Sequence, residues 1–186
     1  MPATFVLVHG AWHGEWCYAR VAEILRARGH GVCTPTMTGL GERSHLPTPN
    51  ITLSLYVTDI ANVLRWEDLH DVVLCGHSYG GNVITGVVEA VPDRIAALVY
   101  LDAFVPDDGE SLHLVPEASS ARLVEIAAAN GGFITPAPAA VFGVNERDRA
   151  YVDANSVPQP LDDARMPHAY GRPRAGRAAA EQAGLA

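Results

Sequence analysis

The chain contains no lysine; all 13 of its cations are arginine. That excludes a Schiff-base lysine or a lysine general base supplied by this chain. Cysteine is scarce as well: Cys17, Cys33 and Cys75 make an odd count with no CxxC pair. A disulfide framework or a zinc site is therefore not expected, and the three read as small buried hydrophobes in a reducing compartment. Basic residues are outnumbered by 21 acidic ones, leaving a net charge of −8, which argues against a nucleic-acid partner. No apolar run reaches the length of a membrane span, and MPATFVLVHG lacks the basic start and long apolar stretch of a secretion signal. The expectation is a soluble, cytoplasmic protein with no membrane and no nucleic acid among its partners. The 186 residues, 48% of them apolar, suffice for one domain with a real core.

Four short apolar runs, Thr4–Val8, Gly31–Pro35, Asp71–Cys75 and Ala96–Leu101, show no polar alternation. Strands buried on both faces read this way. Helical patterns separate them. Residues 15–28 place Cys17, Val21, Ile24 and Leu25 on one stripe that stops at Gly29. Residues 53–64 carry Leu53, Tyr56, Val57, Ile60, Val63 and Leu64 behind a Thr52 N-cap, and residues 80–91 carry Val83, Ile84, Val87, Val88 and Val91 ahead of Pro92. Strands alternating with helices predict an α/β fold: a mostly parallel sheet with helices on both faces. The loop Thr36–Ile51 is polar, broken by Gly39, Gly41, Pro47 and Pro49, and placed to border a site. After Phe104 the pattern changes to a turn at Pro106–Gly109, then a short helix over 119–129 with Leu123, Ile126 and Ala127 inward. This predicts a small inserted cap over 106–161 on a core of 1–105. The stretch 162–186 holds Arg165, Arg172, Arg174 and Arg177 without strand or strong helical pattern and is expected to be poorly ordered.

Gly76-His77-Ser78-Tyr79-Gly80 fits G-x-S-x-G between a buried strand and a helix. In that setting the motif is a nucleophile elbow, a tight turn that lifts a serine hydroxyl above the strand end. Bulky residues at 76 and 80 would clash, so glycine is required there. The helix N-terminus behind it favours developing negative charge. His9-Gly10-Ala11-Trp12 comes after the first strand as a second tight turn. The N–H groups of Ala11 and Tyr79 are the expected oxyanion hole, with Trp12 and His13 beside it as candidate substrate-pocket residues. His9 and His77 are expected to pack beneath the two turns, and His30, His45, His70 and His113 to lie in loops or at the surface.

Four stretches, FVLVHGAWHGEW at 5–16, TGLGERSHL at 38–46, VVLCGHSYGG at 72–81 and ALVYLDAFVPDDG at 97–109, together resemble the α/β-hydrolase superfamily. The likeness is greatest to its esterase/hydroxynitrile-lyase branch, which includes the plant methylesterases, and TGLGERSHL is similar to bacterial esterase-type members. The resemblance implies hydrolysis of small carboxylic esters through an acyl-serine at Ser78, with no metal and no organic cofactor. In lyase members a threonine succeeds the first-strand histidine and a lysine lies near the site; here Gly10 holds that place and lysine is absent, so esterase is favoured.

A serine nucleophile needs a base held by an acid, and in this superfamily the chain order is Ser, Asp or Glu, His. Asp102, ending the strand Ala96–Leu101, is the candidate acid; the competing reading is a polar residue that ends the strand where the cap begins. His168 is the only histidine in the chain position of a triad base, but Met166-Pro167-His168-Ala169 has no strand before it, and a solvated histidine is the competing reading. The likeness fades after Leu161, so the sheet is expected to be incomplete on its C-terminal side through truncation or a frame change, leaving a bare strand edge. Two rival readings stand beside the esterase. One is a hydrolase-derived binding module lacking the triad acid and histidine. The other is a homo-oligomer whose neighbouring subunit completes the site across that edge.

Overall fold

The computed structural model describes residues 1–105 and 117–161. Four strands, β1 (Thr4–Val8), β2 (Gly31–Cys33), β3 (Val72–His77) and β4 (Ile95–Leu101), form one sheet in the order β2-β1-β3-β4, every pair parallel. Helix α1 (Ala19–Ala27) joins β1 to β2, α2 (Leu53–Trp66) joins β2 to β3, and α3 (Gly80–Ala90) joins β3 to β4. The chain steps from β1 to β2 on one side and then returns to place β3 on the other. The carboxyl ends of β1 and β3 therefore flank the point where strand order reverses, which is where open α/β sheets put their ligands. Among the described residues β4 pairs only with β3.

The two faces of the sheet are unequally filled. Val6, Val8, Val72 and Leu74 point into a large cluster with Tyr56, Ile60 and Leu64 of α2 and Val83, Ile84 and Val87 of α3. The α1 face holds a smaller cluster, Leu7, Tyr18 and Cys75, ringed by half-buried residues such as Phe5, Leu25 and Val99. Alternation along each strand sends successive side chains to opposite faces, which is why no polar residue interrupts the runs.

The stripe expected of residues 15–28 is corrected. Glu15–Tyr18 is a 3-10 turn, which advances the chain faster around its axis than an α-helix and so rotates α1 relative to that stripe. The residues turned inward are Tyr18, Ala22 and, in part, Leu25, while Val21 and Ile24 are exposed. For α2 the expectation holds: the Thr52 hydroxyl accepts from the Leu55 N–H at 3.4 Å. The loop Thr36–Ile51 is less of a surface feature than its composition suggests, because Met37, Leu40 and Ile51 are fully buried in the large cluster. Thr38 fastens it to α2 through Asp59, with its N–H at 2.7 Å and its hydroxyl at 3.0 Å from the two carboxylate oxygens.

Beyond the sheet lie α4 (Glu117–Ala129), β5 (Phe133–Ile134), α5 (Glu146–Asn155) and β6 (Gln159–Pro160). Strands β5 and β6 pair antiparallel as a two-stranded ribbon separate from the main sheet. On α4 Ala127 is buried and Leu123 and Ile126 are half-buried, the inward face the spacing predicts. A bidentate ion pair ties α5 to α1: Arg20 Nη1 and Nη2 donate to the two Asp148 oxygens at 2.8 and 2.7 Å. Among the described residues no helix is long and apolar enough to cross a membrane.

Replacing a core residue at the α2–sheet contact tests this packing. Ile60 has no exposed surface, so Ile60→Ala should cost about 2–5 kcal/mol of stability. Urea denaturation should show the loss as a lower midpoint at an unchanged slope.

Candidate active site

Ser78 occupies the turn between β3 and α3 with φ 51, a left-handed backbone that a side chain bearing Cβ resists. Its N–H donates to the Leu101 carbonyl at 3.3 Å. Its carbonyl accepts from the Gly81 and Phe104 N–H groups at 3.0 and 3.1 Å. The turn is thus held from the end of β4 as well as from its own helix. The glycines are needed for space. A Cβ at Gly76 would stand 2.6 Å from the Gly80 carbonyl oxygen, and one at Gly80 would stand 2.7 Å from that of Val8. Ser78 is half-buried.

The turn after β1 lies against this elbow. Val8 is in register with Gly76, so residues 9–12 and 77–80 leave the sheet at the same level. A Cβ built on Gly10 would lie 3.2 Å from Ser78 Cβ and 3.0 Å from His77 Nδ1. Ala11 therefore sits one residue beyond Gly10, which lies against Ser78, and Tyr79 succeeds Ser78 at the start of α3. Both proposed hole donors come from turns that adjoin.

Three histidines pack around these turns. His9 is fully buried. The Met37 N–H donates to its Nε2 at 3.1 Å, so Nε2 is the bare nitrogen and Nδ1 carries the hydrogen that meets the Gly10 carbonyl at 2.8 Å. Burial lowers its pKa to about 4, with the Gly10 hydrogen bond opposing. His13 is likewise lowered to about 4 by burial, with the His77 charge a lesser cause. Burial also lowers His77, against the pull of the Asp102 carboxylate. His9 thus lies buried under its turn as expected, while His77 is half-buried with Nδ1 beside Gly10.

Asp102 comes directly after β4, exposed and at φ 42, in the segment clasped to the elbow by the Leu101 and Phe104 bonds. His168 lies outside the described residues. Within them Ser78 Oγ has no hydrogen-bonded histidine. Trp12 is turned toward residues beyond the main sheet: its indole N–H donates to the Ile134 carbonyl at 3.1 Å and its ring meets Phe142 at a centroid distance of 5.9 Å. His13 stacks edge-on with Trp16 at 5.0 Å. Together they line a hollow of about 340 Å³ between the start of α1 and α5, with Tyr151 and Val152 on its far side. A second hollow of about 340 Å³ lies between Glu42 and Val157. Neither contains Ser78. Among the described residues no group of His, Cys, Asp or Glu could hold a metal ion.

The alpha/beta hydrolase family's sequence pattern matches residues 5–185. The chain belongs to that family. The match runs past Leu161, where the residues alone lose the likeness. The carbendazim hydrolyzing esterase of Nocardioides sp. is 47% identical over 175 residues, covering 89% of this chain and 72% of that protein. Methylesterase 2 of Arabidopsis thaliana is 33% identical over 124 residues, 61% of this chain and 44% of that one. The chain spans less than half the length of the plant methylesterases it matches. Among solved structures, an extracellular alpha/beta-hydrolase from a Paenibacillus species superposes with a TM-score of 0.80. It is 31% identical, and the match covers 88% of this chain and 69% of that one. That hydrolase shares structural and functional homology with tobacco salicylic acid binding protein 2.

The protonation of His9 gives this α/β hydrolase a stability signature. Unfolded, its imidazole takes up a proton below its ordinary pKa of 6.5; folded, only near 4. The contribution is complete above that ordinary value and is lost as pH falls toward the folded one, at up to about 1.4 kcal/mol per pH unit. In His9→Asn the acid-side slope of stability should flatten by that amount, read from urea midpoints collected between about pH 7 and about pH 5.

Proposed function

We propose that the protein hydrolyses small carboxylic esters through an acyl-enzyme on Ser78. The observation that carries this is the left-handed Ser78 on the crest between β3 and α3, abutting the turn after β1. The 47% identity to an esterase supports the same reaction class. Ser78 Oγ adds to the ester carbonyl, and the N–H groups of Ala11 and Tyr79 receive the charge that forms on its oxygen. The first turn of α3 adds the positive end of its dipole. The alcohol leaves, and water then releases the acid from the serine ester. Asp102 is the proposed acid and His168 the proposed base, the latter chosen by chain order.

Trp12 and His13 are the proposed substrate contacts, since they lie one and two residues beyond Ala11, which supplies the first hole donor. The adjoining Phe142 and Val141 are exposed, so the acyl or alkyl group accepted is proposed to be apolar. Cys17, Cys33 and Cys75 are free thiols. Burial pushes Cys17 up to about 12 and Cys75 up to about 11, so neither competes as a nucleophile. Unpaired thiols support a cytoplasmic setting.

The purified chain should react with a fluorophosphonate probe and turn over p-nitrophenyl acetate, with carbendazim and simple methyl esters as the next substrates tried. Ser78→Ala should abolish labelling and lower turnover by at least about 10³-fold. Equal slow rates in both proteins would instead favour the inert binding module. Asp102→Asn should lower kcat by about 10²- to 10⁴-fold if Asp102 orients the base. An unchanged kcat in that variant returns Asp102 to the role of a residue that ends the strand.

A further inference from the structure

Ala11 supplies one proposed hole donor, so whatever orients its neighbouring peptide planes orients the hole. Three consecutive planes are each held by a hydrogen bond, the first from the adjacent His9 and the other two from residues 157–159. The Gly10–Ala11 plane carries the Gly10 carbonyl and the Ala11 N–H pointing in opposite directions. That carbonyl is taken by His9 Nδ1 at 2.8 Å. In the next plane the Trp12 N–H donates to Gln159 Oε1 at 3.0 Å. In the third, the Trp12 carbonyl accepts from the Val157 N–H at 2.9 Å. The indole N–H of Trp12, bonded to the Ile134 carbonyl, adds a side-chain anchor. Trp12 is therefore tied to both strands of the β5–β6 ribbon and to the residue that leads into β6.

The middle plane is the vulnerable one. Trp12 sits at φ 64, which its Cβ disfavours. Rotating the Ala11–Trp12 plane would relieve that conformation by changing φ at Trp12 and, with it, ψ at Ala11, the residue whose N–H lies in the adjoining plane. What opposes the rotation is one side-chain acceptor from 147 positions along the chain, on a residue only 4% exposed. A backbone N–H can only donate, so the atom facing it is the amide oxygen of Gln159. A glutamine buried between Pro158 and Pro160 costs desolvation that an apolar residue would not. Its contact with the Trp12 N–H is what that cost obtains.

We propose that Gln159 is a positioning residue of the oxyanion hole: by accepting the Trp12 N–H it fixes the strained turn that aims the Ala11 N–H. The inserted ribbon thereby sets how well the transition state is held, in addition to any contact it makes with substrate. This rests on the reading of Ala11 as a hole donor.

Gln159→Met keeps the length and removes the acceptor; Gln159→Glu keeps an acceptor. The Met variant should lose about ten- to a hundred-fold in kcat toward p-nitrophenyl acetate with KM nearly unchanged, because a misaimed donor acts in the transition state alone. Affinity for a trifluoromethyl ketone, which forms an oxyanion adduct on Ser78, should fall in step. Amide hydrogen exchange at Trp12 should accelerate. The Glu variant should recover most of kcat and of the exchange protection. A Met variant with native kcat and a native Trp12 exchange rate overturns the proposal, as does a Glu variant as impaired as Met. If Gln159→Met does not fold, Gln159→Asn, whose oxygen is withdrawn by one methylene, gives the same readouts. Amide exchange needs no turnover. A wild-type protein inert at Ser78 would thus sink the esterase reading, while exchange at Trp12 still shows whether Gln159 fixes the turn.

Discussion

The left-handed backbone of Ser78 is the constraint on which the rest of the site depends. Such a residue costs about 1–3 kcal/mol and persists only where its surroundings leave no alternative. Here the surroundings are β3 on one side and α3 on the other, both anchored in the large cluster by Leu74, Val83, Ile84 and Val87. Relaxing the turn would have to withdraw one of them from the core. The cross-links from Leu101 and Phe104 add a third restraint, from the neighbouring strand. The strain is therefore balanced by burial elsewhere.

A second left-handed residue, Trp12, stands on the adjacent strand end, and the two turns abut because β1 and β3 pair in one register. Thr4 to Val8 match Val72 to Gly76 residue for residue. A slip of one position would reverse which face each side chain of β1 occupies, sending Val6 and Val8 out of the cluster. The core therefore fixes the register, and the register fixes the level at which Gly10 meets Ser78. Site geometry here is a consequence of core packing two to four residues further down each strand. The two turns differ in what holds them. Ser78 is secured by the sheet and its own helix, whereas Trp12 borrows its restraint from a ribbon far along the chain.

That difference explains which parts of the molecule are legible in the sequence. The strand β1, the N-cap Thr52, the inward faces of α2 and α3 and the elbow glycines rest on local patterns of spacing and size, and they read directly from the letters. The elbow and the turn after β1 can be paired as a site because each is a short motif beside a buried strand. The stripe on residues 15–28 misleads because apolar spacing assumes α-helical phase, and the 3-10 turn at Glu15–Tyr18 shifts it. The loop Thr36–Ile51 reads as polar because its buried members, Met37, Leu40 and Ile51, are spaced without a period. Gln159 leaves almost no signal. Only its place between two prolines beside a short ribbon sets it apart, and its partner is a backbone N–H, which every residue but proline possesses.

The electrostatics of the crest arise from the same burial. His9 and His13 remain neutral down to about pH 4, and burial holds His77 below its ordinary value despite Asp102 nearby. Neither His9 nor His13 adds positive charge behind the elbow at neutral pH. Charge developing on a substrate oxygen would therefore be met by backbone N–H groups and the α3 dipole, whose strength does not change with pH. His9 is also unsuited to proton transfer, since both its nitrogens are already committed, one to Met37 and one to Gly10. A general base must gain a proton during attack and lose it afterwards, which favours a group with a pKa near working pH. A sigmoid in the rate near neutral pH would consequently report a group other than His9 and His13. Its persistence in His13→Asn would locate the base elsewhere in the chain, and its disappearance would show that His13 carries the proton.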